Sequence, residues 1–307
     1  MQRQKPNVET VEHRGHCKEI DMPHATAKDT TRLYYEEAGS GTPILFVHEF
    51  AADYASWEPQ MRHFSRGHRC IAYSARGYTP SDVPSGDTFT YQNFRDDALA
   101  VLDHLKIERA HFVGLSMGAY SSLQVGLHAP QRAISLTLAG VGTGSEPARM
   151  GQFRESAERN ARDFETLGSP ELAQVYARSP NRIPFEIKDP RGFREFVEAL
   201  ARHDAQGSAH TQRGFQGLRP SVYAFEEALK RMMVPTLIIT GDEDDACVQP
   251  SLFLKQIIPA SGLAIFAKTG HILNLEEPAL FNETVARFLV LAEAGRWPPR
   301  DPRSKRA

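Results

Sequence analysis

Short apolar runs of strand length alternate with longer segments of helical periodicity along most of the chain. This alternation is typical of an α/β fold in which crossover helices join parallel strands. The runs Ile44–His48 and Thr236–Thr240 are apolar on both faces, as a strand covered by helices on two sides requires. The sequence therefore predicts a mostly parallel, doubly wound sheet with helices on both faces.

The apolar runs also give the order of the elements. The predicted strands are Leu33–Ala38, Ile44–His48, Cys70–Tyr73, His111–Val113, Ile134–Leu138, Thr236–Thr240 and Leu263–Phe266. The glycine-rich segment 39–41 favours a turn between the first two strands, which we expect to pair as a hairpin. Amphipathic helices are predicted over Tyr91–Leu105 and Ala119–His128, and Pro278 marks the first turn of a last helix.

The segment 143–222 departs from this alternation. It carries many charges and scattered phenylalanines, and glycines and prolines interrupt it, so we expect several short helices without a strand. Such an insertion indicates a helical cap on an α/β core formed by residues 31–142 and 223–293. Residues 1–30 are interpreted as a leader with a first strand, and residues 294–307 as a disordered tail.

Charge and composition exclude several classes of partner. The 36 basic and 38 acidic residues nearly cancel, which argues against nucleic acid and anionic membrane surfaces. No stretch approaches the roughly 18 consecutive apolar residues of a membrane span, and no signal peptide is expected. The three cysteines lack metal-ligand spacing and fit a reducing, cytoplasmic location. His13, His16 and Cys17 lack a fourth ligand, so no metal site is expected there. Assembly as a homo-oligomer stays open.

A strand, a tight turn and the start of a helix are predicted around Ser116. The segment from Gly114 to Gly118 matches the pattern G-x-S-x-G. In this pattern a sharp turn holds the serine in strained backbone geometry, and the glycines avoid clashes with neighbouring backbone. The hydroxyl then lies above a helix N-terminus, where the dipole favours developing negative charge. Ser116 is therefore the candidate nucleophile.

With this motif the chain resembles the α/β-hydrolase superfamily over roughly residues 31–290. The resemblance implies a Ser-Asp-His triad in that chain order. His271 lies in a segment similar to the family's G-H-x-x-x-x-E-x-P pattern, which implies that it is the catalytic base. Family members commonly show G-x-x-D after the preceding strand, which selects Asp244 as the acid over Asp242 and Asp245.

The resemblance also implies an oxyanion hole made of two backbone N–H groups. One belongs to Met117, directly after the nucleophile, and the other, by position in the family's H-G-x segment, to Phe50. Glu49 replaces the usual glycine of that segment. It is expected either to support the loop by accepting backbone hydrogen bonds or to position a water in the active site. His48 is expected to pack beneath the loop.

Further positions are expected to shape the site and its scaffold. Trp57 and Tyr120 are expected to line the substrate pocket, together with the cap. Arg76 lies in a loop similar to the family's R-G-x-G-x-S-D segment and is expected to be a buried ion-pair partner.

These residues imply hydrolysis of a small or medium carboxylic ester or lactone through an acyl-enzyme. No metal or organic cofactor is expected, because the H-E-x-x-H, P-loop and G-x-G-x-x-G patterns are missing. Within the fold the main alternative is hydrolysis of a C–C bond in a vinylogous diketone. Thioesterase, iminopeptidase, acyltransferase and peroxidation chemistry also stay open. An alternative of another class is a protein that binds a small molecule in the pocket without catalysis.

Overall fold

The computed structural model describes residues 22–304, so most of the predicted leader, with His13, His16 and Cys17, lies outside the described residues. The strands are β1 His24–Thr26, β2 Arg32–Ala38, β3 Thr42–Val47, β4 His68–Tyr73, β5 Ala110–Leu115, β6 Ala133–Ala139, β7 Thr236–Gly241 and β8 Ser261–Phe266. They form one sheet in the order β1-β2-β4-β3-β5-β6-β7-β8. Only the pairings of β1 with β2 and of β2 with β4 are antiparallel within this sheet, which confirms a mostly parallel α/β fold.

The prediction that Leu33–Ala38 and Ile44–His48 pair as a hairpin is wrong. These segments correspond to β2 and β3. Strand β2 pairs with β4, with Tyr35 opposite Tyr73, and β3 lies on the other side of β4. The predicted turn is present, with a φ of 118° at Gly41. A Cβ on Gly41 would lie 2.7 Å from the carbonyl oxygen of Gly67, so the chain passes close to the start of β4. The turn thus directs β3 past β4 instead of back along β2.

Helices cover both faces of the sheet. Before the cap they are α1 Glu58–Phe64, α2 Tyr91–His104 and α3 Met117–His128. Between β6 and β7 they are α4 Met150–Leu167, α5 Ser169–Tyr176, α6 Ile183–Lys188, α7 Pro190–Ala201, α8 Ala205–His210 and α9 Glu226–Leu229. The last are α10 Asp245–Ile257, α11 Leu273–Glu276 and α12 Pro278–Glu293. No helix of residues 22–304 is both long enough and apolar enough to cross a membrane.

The chain between β6 and β7 contains helices and no strand within the described residues, as a helical cap requires. A π-helix, Thr211–Gln216, continues α8. The rings of Phe185, Phe193 and Phe196 pack against one another at centroid distances of 5.8 to 6.2 Å. The cap therefore has an apolar core of its own. Its limits at residues 143 and 222 stay predictions.

The loop after β4 is anchored by Arg76, whose side chain is buried. The Arg76 guanidinium donates two hydrogen bonds to Asp97, at 2.7 and 2.6 Å, and one to Asp29 at 2.7 Å. The predicted buried ion pair of Arg76 is confirmed.

Part of the predicted tail packs against the core. The ring of Trp297 lies 4.7 Å from that of Phe288, and its indole N–H donates to the carbonyl of Ala260 at 3.1 Å. A Cβ on Gly262 would lie 2.4 Å from the indole, so β8 leaves space for this ring. The prediction of a disordered tail is therefore wrong at Trp297, which packs against the core.

Candidate active site

Ser116 lies in the turn between β5 and α3, in strained backbone geometry. Its φ is 53° and its ψ is −109°, a region that non-glycine residues rarely adopt. The backbone is held on both sides: Ser116 N–H donates to Ala139 O at 2.8 Å, and Ser116 O accepts from Tyr120 N–H at 2.9 Å. The neighbours of Ser116 are buried, whereas Ser116 is partly exposed. The turn thus presents this side chain outward, as the motif predicts.

The two glycines of the motif allow close backbone approach. A Cβ on Gly114 would lie 2.4 Å from the carbonyl oxygen of Gly118. A Cβ on Gly118 would lie 2.0 Å from the carbonyl oxygen of Val47. The start of α3 therefore packs directly against the end of β3. This contact brings the elbow at Ser116 next to the loop that carries Phe50.

Two backbone donors lie at this junction. Met117 is the first residue of α3, so its N–H has no acceptor within the helix. The N–H of Phe50 donates to no residue of the described chain. Both side chains are buried, and the Phe50 ring packs on the cap residues Phe164 and Tyr176 at 5.8 and 5.2 Å. Two N–H groups are thus free to bind a ligand oxygen.

Asp244 and His271 form a buried pair. Nδ1 of His271 lies 2.6 Å from Oδ2 of Asp244, and the two side chains are 3% and 0% exposed. Burial works to raise the pKa of Asp244, but the charge of His271 and its hydrogen bond hold that pKa below the usual range. Asp242 and Asp245 are exposed. Among the candidate acids, Asp244 is the one placed against His271.

The structure relates His271 to Ser116 through the loop after β6. A Cβ on Gly140 would lie 3.2 Å from Cε1 of His271, so the imidazole rests on this backbone. Gly140 directly follows Ala139, which binds Ser116 N–H. Within residues 22–304, neither Ser116 Oγ nor His271 Nε2 forms a hydrogen bond. The structure therefore joins His271 directly to Asp244, but not to Ser116.

Asn181 of the cap supports the Asp244–His271 pair, a contact that the sequence did not predict. Its carbonyl accepts a hydrogen bond from the main-chain N–H of His271 at 2.7 Å. Its Nδ2 donates to Oδ1 of Asp244 at 3.3 Å. Gly270 makes room for this contact, because a Cβ there would lie 2.3 Å from Asn181 O. Glu276, the glutamate of the histidine motif, accepts from Gly270 N–H at 2.9 Å.

Glu49 pairs with a second cap residue, Arg182. Its Oε2 accepts from Nη2 of Arg182 at 2.9 Å, and its buried Oε1 has no partner among the described residues. The Arg182 guanidinium also lies 5.2 Å from the ring of Tyr176. Burial works to lower the pKa of Arg182, but the Glu49 charge raises it above the ordinary value. The expectation that the Glu49 carboxylate supports backbone groups is therefore wrong, since its partner is a side chain.

His48 packs beneath this loop, as predicted. Its Nε2 accepts from the N–H of Ala75 at 2.9 Å. Its Nδ1 therefore carries the proton and donates to the carbonyl of Glu49 at 2.7 Å. Burial lowers the pKa of His48, which favours this neutral form.

The two expected pocket residues have different positions. Trp57 is fully buried on one face of the sheet, 5.2 Å from the ring of Phe46 and 6.1 Å from that of Phe281. Trp57 is therefore a core residue, because α1 and α12 enclose it. Tyr120 lies one helical turn after Ser116, and its hydroxyl donates to the carbonyl of Pro220 at 2.8 Å. It joins α3 to the cap.

Asp244, His271 and Cys247 also have the composition of a metal site. Their ligand atoms lie within 4.8 Å of one another. The 2.6 Å separation of His271 Nδ1 and Asp244 Oδ2 is a hydrogen bond. Two ligands of one tetrahedral zinc ion would stand roughly 3.3 Å apart at bond lengths of about 2.0 Å. The cluster therefore fits a hydrogen-bonded carboxylate–histidine pair better than a zinc site.

Comparisons with known proteins agree with this geometry. The family model for the alpha/beta hydrolase fold matches residues 42–278. The chain is similar to 3-oxoadipate enol-lactonase 1 of Acinetobacter baylyi, with 29% identity over 80% of this chain and 88% of that protein. It is also similar to 2-hydroxymuconate semialdehyde hydrolase of a Pseudomonas species, with 28% identity over 86% of this chain and 92% of the relative.

A solved structure of an enol-lactonase from Burkholderia xenovorans superimposes with a TM-score of 0.77 at 25% identity. The superposition covers 87% of this chain and all of that chain. The sequence motif, the order of the strands and the superposition thus all indicate the α/β hydrolase fold. This chain belongs to the α/β hydrolase family and is a hydrolase.

Proposed function

We propose that this protein hydrolyses a small or medium carboxylic ester or lactone through an acyl-enzyme on Ser116. The observation that carries the proposal is the buried Asp244–His271 pair, which rests on the loop beside the strained Ser116 turn. The likeness to enol-lactonases supports a lactone or ester as the substrate class.

In the first half of the reaction, Nε2 of His271 takes the proton from Ser116 Oγ as Oγ attacks the carbonyl carbon. The N–H groups of Phe50 and Met117 stabilise the negative charge that develops on the carbonyl oxygen. Asp244 holds the imidazole in the tautomer with a proton on Nδ1 and stabilises the imidazolium. The imidazolium then gives its proton to the leaving alkoxide oxygen, and the bond from carbonyl carbon to that oxygen breaks.

In the second half, water attacks the ester of Ser116. His271 takes a proton from the water, and the same N–H groups hold the second oxyanion. The bond between Ser116 Oγ and the carbonyl carbon breaks, and Oγ regains its proton from His271. The product is a carboxylic acid, or a hydroxy acid when the substrate is a lactone.

A second candidate is hydrolysis of a C–C bond. It is favoured by the similarity to a 2-hydroxymuconate semialdehyde hydrolase, which covers 86% of this chain, against 80% for the enol-lactonase of Acinetobacter baylyi. In this case the leaving group would be a carbon anion stabilised by conjugation. Absorbance assays with a vinylogous diketone and an enol-lactone, on one preparation, separate the two candidates by their relative kcat/KM values.

The nucleophile is tested without knowledge of the substrate. A fluorophosphonate should label the native protein at Ser116, and peptide mass spectrometry should find no label in Ser116→Ala. 4-Nitrophenyl esters should be hydrolysed by the native protein and not by Ser116→Ala, with circular dichroism showing that both are folded. Absence of labelling and of serine-dependent turnover in a folded protein would favour a non-catalytic binding protein.

We propose a reducing, cytoplasmic location, because the two cysteines of the described residues are free thiols. Cys70 and Cys247 are free and buried. Burial raises the pKa of Cys70 to about 12 and that of Cys247 well above its ordinary value, so both thiols are poor nucleophiles.

A further inference from the structure

Three arginines of the described chain are at least nine-tenths buried: Arg76, Arg182 and Arg219. Arg76 pairs with Asp97, and Arg182 pairs with Glu49. Arg219 forms no ion pair with a carboxylate of residues 22–304. A buried charge is costly unless it is paired, so this difference requires an explanation.

The protein satisfies the Arg219 guanidinium in part. Nε donates to Oε1 of Gln216 at 3.1 Å, and Nη2 donates to the carbonyl of Thr143 at 2.5 Å. The remaining nitrogen, Nη1, donates to no described residue and is not sealed from solvent, since the residue keeps 9% exposure. The guanidinium lies over the rings of Tyr120 and Phe153, 4.9 and 5.3 Å from their centroids. These contacts fix its plane without neutralising its charge.

Two chains of contacts connect Arg219 with the candidate active site. Tyr120, on which the guanidinium stacks, donates its N–H to the carbonyl of Ser116. On the other side, the hydroxyl of Thr143 lies 3.1 Å from the Cys247 sulfur, which donates to the carbonyl of Gly140 at 3.2 Å. Gly140 supports the His271 ring. Arg219 therefore contacts the segments that leave the carboxyl ends of β5 and β6. This is the edge at which α/β sheets bind ligands.

The electrostatics of the three arginines agree with their contacts. Burial works to lower the pKa of each, but carboxylates raise the pKa values of Arg76 and Arg182 above normal. The pKa of Arg219 stays lowered by burial. An anion at this place would therefore gain a charge-assisted hydrogen bond that no protein carboxylate supplies.

We propose that Arg219 binds a carboxylate of the substrate, so that the preferred substrates are esters or lactones that carry a second, free carboxylate. This inference rests on the proposed hydrolase function. Arg219 would act as a specificity residue: its guanidinium lies over the rings of Tyr120 and Phe153, and Nη1, which binds no described residue, would bind the anion. A neutral substrate would leave the buried charge unpaired.

The test uses two esters that differ at the end of the acyl chain. Mono-4-nitrophenyl glutarate ends in a carboxylate, and 4-nitrophenyl valerate ends in a methyl group. The native enzyme should favour the glutarate ester. Arg219→Met should lower kcat/KM for this ester about 10- to 100-fold, mainly through KM, with a smaller change for the valerate ester. Arg191→Met, on the exposed face of α7, is the matched control and should leave both esters unaffected.

A second measurement does not depend on turnover. Monoethyl glutarate should raise the Tm of Ser116→Ala, and the double variant Ser116→Ala/Arg219→Met should show a smaller shift. If Arg219→Met does not fold, Arg219→Gln replaces it, because an amide can still bond Thr143 and Gln216. Equal losses on both esters, or equal Tm shifts, would overturn the role of Arg219 alone. No serine-dependent hydrolysis of either ester would instead overturn the proposed function.

Discussion

The carboxylate of Glu49 accepts a hydrogen bond from the guanidinium of Arg182 over 2.9 Å, and the two side chains are 1% and 5% exposed. Glu49 directly precedes Phe50, the proposed oxyanion donor. Arg182 ends the short cap turn Pro180–Arg182. One buried ion pair therefore joins the oxyanion loop of the core to the cap.

Removal of either charge should be costly, because the other stays buried without a partner. Glu49→Gln should lower the free energy of unfolding by about 3–5 kcal/mol. Arg182→Met should have a similar effect, and the double variant should lose clearly less than the sum, as urea denaturation would show. The exposed pair Arg191–Glu195 is the control and should give almost no coupling. Additive effects at Glu49 and Arg182 would contradict a buried pair.

The same variant tests whether Glu49 positions a water. If it does, folded Glu49→Gln should have a reduced kcat on 4-nitrophenyl esters. An unchanged kcat in a folded variant would rule out this role and would mean that Glu49 serves only the ion pair with Arg182.

Asp244 should be the one acid of its loop that catalysis needs. Asp244→Asn should lower kcat about 1,000- to 10,000-fold, because an amide favours the wrong histidine tautomer and does not stabilise the imidazolium. Asp242→Asn and Asp245→Asn are matched controls, since both side chains are exposed, and should retain activity. Steady-state kinetics on a 4-nitrophenyl ester measure all three. A large loss in either control would move the acid to another residue.

Gly118 should tolerate no side chain. In Gly118→Ala the new Cβ would clash with the carbonyl of Val47, which should reduce the free energy of unfolding by about 1–3 kcal/mol. Ester hydrolysis should also fall, because the clash separates the N–H groups of Phe50 and Met117. Gly151→Ala, in α4, has no atom within 4 Å of the new Cβ and should be neutral or slightly stabilising. Full activity in Gly118→Ala would contradict this account.

His203 should make the fold sensitive to acid. Burial lowers the pKa of His203 from 6.5 to about 3, and the charge of Arg202 acts in the same direction. Between these two values the unfolded chain binds a proton that the folded chain does not, so stability is present above pH 6.5 and is lost as pH falls. The loss is about 1.4 kcal/mol per pH unit for one such group.

His203→Phe removes this group and keeps the edge-to-face contact with Tyr78, whose ring lies 5.2 Å away. Neither ring nitrogen of His203 has a partner in the described chain, so no hydrogen bond is lost. Between about pH 7 and about pH 5 the variant should lose about 2 kcal/mol less than the native protein. Urea denaturation at each pH measures the difference, and exposed His63→Gln should not change it. An unchanged pH dependence would contradict the prediction.

Local patterns were sufficient to predict most of the strands, the run of helices between β6 and β7, and the serine turn. The geometry of Ser116 is encoded by the glycines on either side, which are close in sequence and are needed for steric reasons. The hairpin prediction failed because a turn such as Gly39 to Gly41 specifies a reversal of direction but not the neighbouring strand. Trp57 was misplaced for a related reason, since an aromatic ring near a loop can pack on either face of a sheet.

The polar residues of the cap could not be predicted. Asn181, Arg182 and Arg219 are single polar residues in a segment of many charges, and no spacing rule distinguishes them from solvated ones. Their partners Asp244, Glu49 and Thr143 lie more than 60 positions away in sequence. Only the packing of the cap on the core shows which of them are buried.

Asn181 binds the backbone of His271 and the side chain of Asp244 at the same time. A motion that lifted the whole cap would break both hydrogen bonds, and the Asp244–His271 pair would lose this support. The position of the Asp244–His271 pair therefore depends on contact between the turn Pro180–Arg182 and the core. If the cap moves when a substrate enters, the proposed acid and base would keep their alignment only as long as the turn Pro180–Arg182 stayed on the core.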